Sequence, residues 1–275
     1  MIQSRKQVPL SASARKMIRC FQTDGTDCQI SVGRAGSLPG LTPVGVLVSG
    51  GLDSSILLAH YVETGRPVVP FYVRSQLVWQ EAELAATRRF LHLLAAPQLA
   101  PLVVLDLPLA DLYGDHWSVT GRQAPGEETS DEAVYLPGRN PLLLIKPALW
   151  CAKHGVSELA VAHLAANPFA DASREFFTAF EAMLNLATAG REDFQPIQIT
   201  QPLAGLSKIE VLELGRNLPL GETFSCISPV RGQHCGVCNK CGERKAAFSA
   251  SSLEDPTAYT DVRAQKALHP EPAAS

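Results

Sequence analysis

Val44-Gly45-Val46-Leu47-Val48-Ser49-Gly50-Gly51-Leu52-Asp53-Ser54 is the stretch that decides the fold. Its first five residues are apolar and uncharged, the pattern of a strand covered on both faces. Ser54 to Glu63 then spaces Ile56, Leu57, Tyr61 and Val62 at helical intervals, and Gly65 supplies a stop. A strand, a glycine turn and a helix start in this order make an anion trap. The glycines let backbone N–H groups approach an oxyanion, and the helix N-terminus adds partial positive charge contributing about 0.3–1 kcal/mol. Ser49, Gly50, Gly51, Leu52, Asp53 and Ser54 are therefore the candidate residues for a pyrophosphate group, with ATP the expected ligand. The turn has neither the GxGxxG spacing nor the lysine of a Walker A loop. Asp53 has a plainer alternative as a helix cap beside Ser54.

The alternation continues outward. Pro67 to Val73 predicts a second strand, Trp79 to Ala96 a helix ended by Pro97, and Leu102 to Leu107 a third strand. Beyond a polar loop from Tyr113 to Asp131, Asn140 is the expected cap of a helix that has Pro141 at its first position and a kink at Pro147. Leu159 to His163 predicts a fourth strand, Arg174 to Ala189 a helix, and Ile197 to Thr200 a fifth strand. Ser207-Lys208-Ile209-Glu210 is a capping box that opens another helix. Such alternation predicts an α/β fold, a Rossmann-like doubly wound parallel sheet with right-handed crossovers. Sheets of this kind bind ligands at the carboxyl ends of their strands. That rule marks Ser49 to Asp53, Arg74, His163 to Asn167 and Gln201 to Lys208 as candidates on one rim.

The 275 residues, 46% hydrophobic and 19% charged, allow one sizeable core with a small appended module and exclude disorder for most of the chain. A net charge of −3 gives no general attraction to nucleic acid or anionic membrane, which favours a small-molecule ligand. No apolar run approaches the roughly 18 residues of a membrane span. Met1-Ile2-Gln3-Ser4-Arg5-Lys6 opens no signal peptide, so a soluble cytoplasmic protein without disulfides is expected. Of seven cysteines, Cys226, Cys235, Cys238 and Cys241 crowd one short stretch, with two CxxC pairs sharing Cys238. In a reducing compartment that pattern reads as tetrahedral zinc, with a redox CxxC as its rival and His234 an awkward substitute ligand. Zinc in small modules contributes an apparent ~10–16 kcal/mol, so the metal is expected to fold this segment and not to carry chemistry. Cys151 reads as a packing residue, and Cys20 and Cys28 flank the turn Thr23-Asp24-Gly25-Thr26 without an assigned role.

Several segments point together. Ser49 to Ser54 resembles the PP-loop of the ATP pyrophosphatase superfamily. Followed by Leu136-Pro137-Gly138-Arg139-Asn140, Ser207-Lys208, Thr223-Phe224-Ser225-Cys226, Cys235-Gly236-Val237-Cys238-Asn239-Lys240-Cys241, Arg244, Phe248 and Asp255-Pro256-Thr257-Ala258-Tyr259, it resembles the QueC family of 7-cyano-7-deazaguanine synthases. The resemblance runs from Val44 to Tyr259. It implies a PP-loop domain over 44–225, a zinc-stabilised module over 226–275, and an N-terminal extension over 1–43. It implies homodimers, ATP, magnesium and zinc, and conversion of 7-carboxy-7-deazaguanine to an amide and then a nitrile with ammonia. By the same resemblance Asp53 sits near magnesium and pyrophosphate, and Lys208 neutralises phosphate or adenylate charge. Arg139 and Asn140 orient substrate together with Asp171 and Glu175. Arg74 is a candidate for the nucleotide side from its place after the second strand and not from the resemblance.

The acceptor side departs from the family pattern. Tyr72-Val73-Arg74-Ser75-Gln76 replaces Tyr-Gly-Gln-x-His, and Phe169-Ala170-Asp171-Ala172-Ser173 replaces Tyr-Pro-Asp-Cys-Arg. Asp171 is kept, while Ala172 and Ser173 stand at the Cys and Arg positions. His163 stands where a glycine is expected, and Ile227 where an aromatic follows the first zinc cysteine. Three readings stay open: a nitrile-forming enzyme, a ligase of the antiviral-defence type that joins the deazaguanine carboxylate to a protein amine, and a non-catalytic nucleotide and zinc scaffold. Residues 1–43 would dock the acceptor or cover a sheet edge. His163 is the candidate general base, its ordinary pKa lying near neutrality.

Overall fold

The computed structural model describes residues 41–164 and 167–260. The N-terminal extension, the Cys20–Cys28 turn and the C-terminal tail lie outside the described residues. Five parallel strands, β1 (Val44–Leu47), β2 (Val68–Arg74), β3 (Val103–Asp106), β4 (Glu158–Ala160) and β5 (Gln198–Thr200), form one sheet in the order β3-β2-β1-β4-β5. The helices are α1 (Leu52–Glu63), α2 (Gln80–Leu94), α3 (Ala110–Tyr113), α4 (Trp117–Thr120), α5 (Arg139–Lys153), α6 (Arg174–Ala187), α7 (Lys208–Leu214) and α8 (Asn239–Ala250). This is the doubly wound architecture that the alternation predicts.

The central strands read as uninterrupted apolar runs because both of their faces are covered. Val44, Val46, Val68, Phe71 and Leu159 are fully buried. Gly45 lets α5 lie directly on β1, for a Cβ there would meet Cys151 Sγ at 2.8 Å and the Phe71 ring at 2.9 Å. Cys151 is thus the packing residue expected. Pro70 sits inside the interior strand β2, where a missing N–H normally breaks a ladder. It breaks none here. Phe71 faces β1, its carbonyl accepting from Val48 N–H at 2.8 Å, so Pro70 faces the β3 side, where the ladder begins only at Phe71 and Val103.

Three element boundaries differ from expectation. Helix α1 opens at Leu52 behind Gly51, so Asp53 lies inside its first turn and is not the cap. Helix α5 starts at Arg139 behind Gly138, whose φ of 73° only glycine adopts freely, and it runs through Pro147 to Lys153. Asn140 caps nothing, and its side chain reaches across to Asp171 instead. Strand β4 ends at Ala160, and His163 lies in the connection beyond it. The capping box of α7 is present in both halves: Glu210 Oε2 accepts from Ser207 N at 2.8 Å and Ser207 Oγ from Glu210 N at 3.3 Å. Ala247 and Phe248 of α8 join Val46, Ile56 and Val211 in one core, so the helix after the cysteines packs into the sheet domain.

Candidate active site and four-cysteine cluster

Strand order reverses between β1 and β4, the place where an open parallel sheet forms a crevice. A cavity of about 370 Å³ opens there, lined by the turn after β1, the segments after β2 and β4, and the start of α5. Gly50 makes the turn possible. Its φ is 69°, and a Cβ would meet Thr87 Oγ1 at 2.8 Å and the Glu83 carbonyl at 3.0 Å. Ser54 Oγ accepts from Ser49 N–H at 3.1 Å and donates to the Gly51 carbonyl at 3.3 Å, closing the loop on itself. Phe224 N–H donates to the Gly50 carbonyl at 2.7 Å and ties the turn to the chain leading into Cys226.

Lys208 Nζ, fixed at the start of α7, donates to Asp53 Oδ2 at 2.8 Å across the cavity. Asp53 Oδ1, Arg139 Nε and His163 Nδ1 are buried without a hydrogen-bond partner, and all three residues line this one cavity. Leaving such groups unpaired costs roughly 1–3 kcal/mol each, more for charged ones, so their convergence marks a ligand site. Arg139 lies over the Trp79 ring at 5.8 Å, and Asp171 holds Asn140 through the Asn140 N–H at 3.3 Å and its side-chain amide at 3.2 Å. The aromatic walls include Tyr135 stacked on Phe169 with ring centres 4.7 Å apart.

The structure does not gather every candidate. Arg74 points away from the cavity and forks onto Asp106 at 2.5 and 2.9 Å, because β2 and β3 place those two residues side by side. Glu175 is exposed in the first turn of α6 and does not line the cavity. His163 is half-buried with its ring against Phe177, and desolvation, opposed by Asp171 and reinforced by Arg139, lowers its pKa to about 4. The imidazole is neutral at pH 7 and does not titrate near neutrality as its free counterpart does. Glu83 is a site residue that sequence reasoning misses. It lines the cavity at 8% exposure, and burial raises its pKa to about 8 against Arg139 and hydrogen bonds from Tyr72 and Trp79. Its signal is faint but present: Glu83 falls on the same α2 stripe as the buried Ala86, Thr87 and Phe90, where a carboxylate has no packing reason to be.

Cys226, Cys235, Cys238 and Cys241 are all buried, with their sulfurs within 4.8 Å of one another. Zn–S bonds of about 2.3 Å place tetrahedral sulfurs about 3.8 Å apart, and Cys226 Sγ and Cys238 Sγ are separated by 3.8 Å. Backbone N–H groups of Ser228 and Cys235 point at Cys226 Sγ at 3.4 and 3.3 Å, which favours a thiolate. The cluster fits a metal ion such as zinc. His234 is not part of it, since its Nε2 accepts from Ser225 N–H at 3.1 Å. Arg244, 1% exposed, donates to Thr223, Ser225, Thr257 and the Leu220 carbonyl, clasping the segment between the cavity and the cysteines.

Fold, glycine turn and cavity define a nucleotide-site α/β protein with an appended four-cysteine module. The family model for the queuosine biosynthesis protein QueC matches residues 44–252, and the chain belongs to that family. A 7-cyano-7-deazaguanine synthase of Dechloromonas aromatica (strain RCB) is 33% identical over 223 residues, covering 78% of this chain and 96% of the relative. The one of Aromatoleum aromaticum (strain DSM 19018 / LMG 30748 / EbN1) is 34% identical over 223 residues with the same coverage, 78% and 96%. Among solved structures, a 4-thiouridine synthetase in complex with RNA and bound ATP aligns with a TM-score of 0.44 at 15% identity, over 82% of this chain and 50% of that one. NMN synthetase from Francisella tularensis aligns at 0.40 and 14% identity, over 78% and 79%. Among the described residues no helix is long and apolar enough to cross a membrane.

Proposed function

We propose that this protein is an ATP-dependent ligase that adenylates the carboxylate of 7-carboxy-7-deazaguanine, releases pyrophosphate and amidates the activated acid. The observation that carries the reading is the buried, unpartnered Nε of Arg139, a residue that lines the same cavity as the glycine turn and the Asp53–Lys208 pair. A carboxylate is a poor electrophile. Held by Arg139, its oxygen attacks the α-phosphorus of ATP, and the bond to the leaving pyrophosphate breaks. Ser49 to Ser54 and the N-terminus of α1 receive the diphosphate, and Lys208 balances charge that grows there. An amine then displaces AMP. Tyr135, Phe169 and Trp79 offer flat faces for a purine-like ring.

Asp53 Oδ1, buried and without a partner, fits a magnesium ion accompanying the nucleotide, and that ion would draw charge off the phosphates. Zinc would sit on the four thiolates and hold the module folded. His163, half-buried and neutral, serves through its buried Nδ1 as a hydrogen-bond partner for substrate or amine and carries no charge there.

The second reading, transfer to a protein amine, is favoured by the segment that follows Asp171, beside the cavity. Ser173, where the family carries an arginine, turns back to cap α6 through Phe176 N–H at 3.1 Å, and Ala172 presents only a methyl group. Incubation with ATP, magnesium and 7-carboxy-7-deazaguanine, with and without ammonia, separates the readings by mass spectrometry. Free amide or nitrile supports the ammonia-dependent enzyme. Pyrophosphate release with a mass shift on a protein partner supports conjugation, and no pyrophosphate under any condition rejects both.

A further inference from the structure

An unbroken file of ion pairs leaves the glycine turn, crosses α8 beside the cysteines and ends on Asp131. Asp53 pairs with Lys208 at 2.8 Å, Lys208 with Glu243 at 3.7 Å, Glu243 with Lys240 at 2.6 Å, and Lys240 with Asp131 at 3.8 Å. Glu243, Lys240 and Lys208 all line the cavity. Glu243 stands on α8 two positions after Cys241, and α8 packs against α7, the helix whose first residue is Lys208.

Lys208 is anchored on Asp53. A polyphosphate in the turn must draw the Lys208 ammonium from Asp53 toward phosphate oxygens, and a flexible four-carbon stem released at one end loses its aim. Glu243 supplies the second anchor. Its Oε1 lies 3.7 Å from Lys208 Nζ, and Lys240 in turn fixes the Glu243 carboxylate through Oε2. We propose that Glu243 is a positioning residue for adenylation, holding Lys208 toward the transferring phosphate and so linking the geometry of the cysteine module to the chemistry of the turn. This rests on the adenylation reading above.

The test is substrate-dependent exchange of labelled pyrophosphate into ATP with zinc-loaded wild type, Glu243→Gln, Glu243→Asp, Lys208→Ala and the Glu243→Gln/Lys208→Ala double variant. Glu243→Gln is expected to lower the exchange rate at saturating ATP about tenfold with the KM for ATP changed less than about twofold, and Glu243→Asp to restore most of it. Because Glu243 acts through Lys208, the double variant should be no slower than Lys208→Ala alone. A wild-type rate for Glu243→Gln, or losses that multiply in the double variant, would overturn the proposal. Crystal structures of wild type and Glu243→Gln, each with a non-hydrolysable ATP analogue, give a reading that needs no activity: a Lys208 Nζ displaced in the variant from its wild-type position supports the proposal, and Lys208 unmoved overturns it. Absence of exchange in wild type would reject adenylation, whereas the position of Lys208 in those crystals would still decide whether Glu243 holds it.

Discussion

At the residue scale the site is a set of charges that converge on one cavity. Lys208 and Asp53 neutralise each other only until a ligand arrives, so each is expected to be indispensable. Asp53→Asn and Lys208→Ala should each reduce pyrophosphate exchange by at least about a hundredfold, measured on protein with wild-type zinc content and Tm. Glu83 carries a stability signature. Its carboxyl keeps a proton in the folded state up to about pH 8 and loses it at an ordinary value in the unfolded chain. Between those values the folded state binds more protons, so stability falls as pH rises, by at most about 1.4 kcal/mol per pH unit. His163 and His234, both lowered to about 4 by burial, act in the opposite sense, losing stability as pH falls from 6.5 toward 4. Tm should therefore decline between pH 6.5 and 8, and Glu83→Gln should flatten that decline. An unchanged slope in the variant would show that Glu83 is ionised in the native cavity.

At the element scale the turn after β1 and the module before α8 are one assembly. Gly50 touches α2 and, through its carbonyl, Phe224. Gly50→Ala would combine a positive φ with contacts at 2.8 and 3.0 Å, at an expected cost of about 2–4 kcal/mol, read from denaturant midpoints. Metal removal should act on the same assembly. Cys226, Cys235, Cys238 and Cys241 form a buried cluster with Phe224 and Trp79, so chelation is expected to expose the backbone from Phe224 to Gly242 to hydrogen exchange and to weaken nucleotide binding with it. Protection that survives chelation would mean that packing alone folds the segment.

At the scale of the whole molecule, what the sequence makes legible and what it hides divide along the range of the interactions. The β1 strand, the glycine turn, the α7 capping box and the cysteine cluster are set by neighbours in sequence, and their residues announce them. The fate of a polar side chain is set by what the sheet brings beside it. Arg74 has the place of a ligand residue because it ends β2, yet the register of β3 hands it Asp106. Asn140 has the composition of a cap, but Gly138 starts the helix earlier and frees Asn140 for Asp171. Glu83, lodged on an apolar stripe, leaves only a faint trace in the sequence, and the partners of Arg244, drawn from 220–225 and from Thr257, become readable only once the chain is folded.

The central claim is that the glycine turn receives pyrophosphate while Arg139 presents a carboxylate for adenylation, and pyrophosphate exchange measures that step alone. Wild-type protein with magnesium should exchange label into ATP only when 7-carboxy-7-deazaguanine is present, and Arg139→Gln should abolish that acid-dependent exchange. No exchange by zinc-loaded wild type, or exchange that proceeds equally without the acid, would contradict the account.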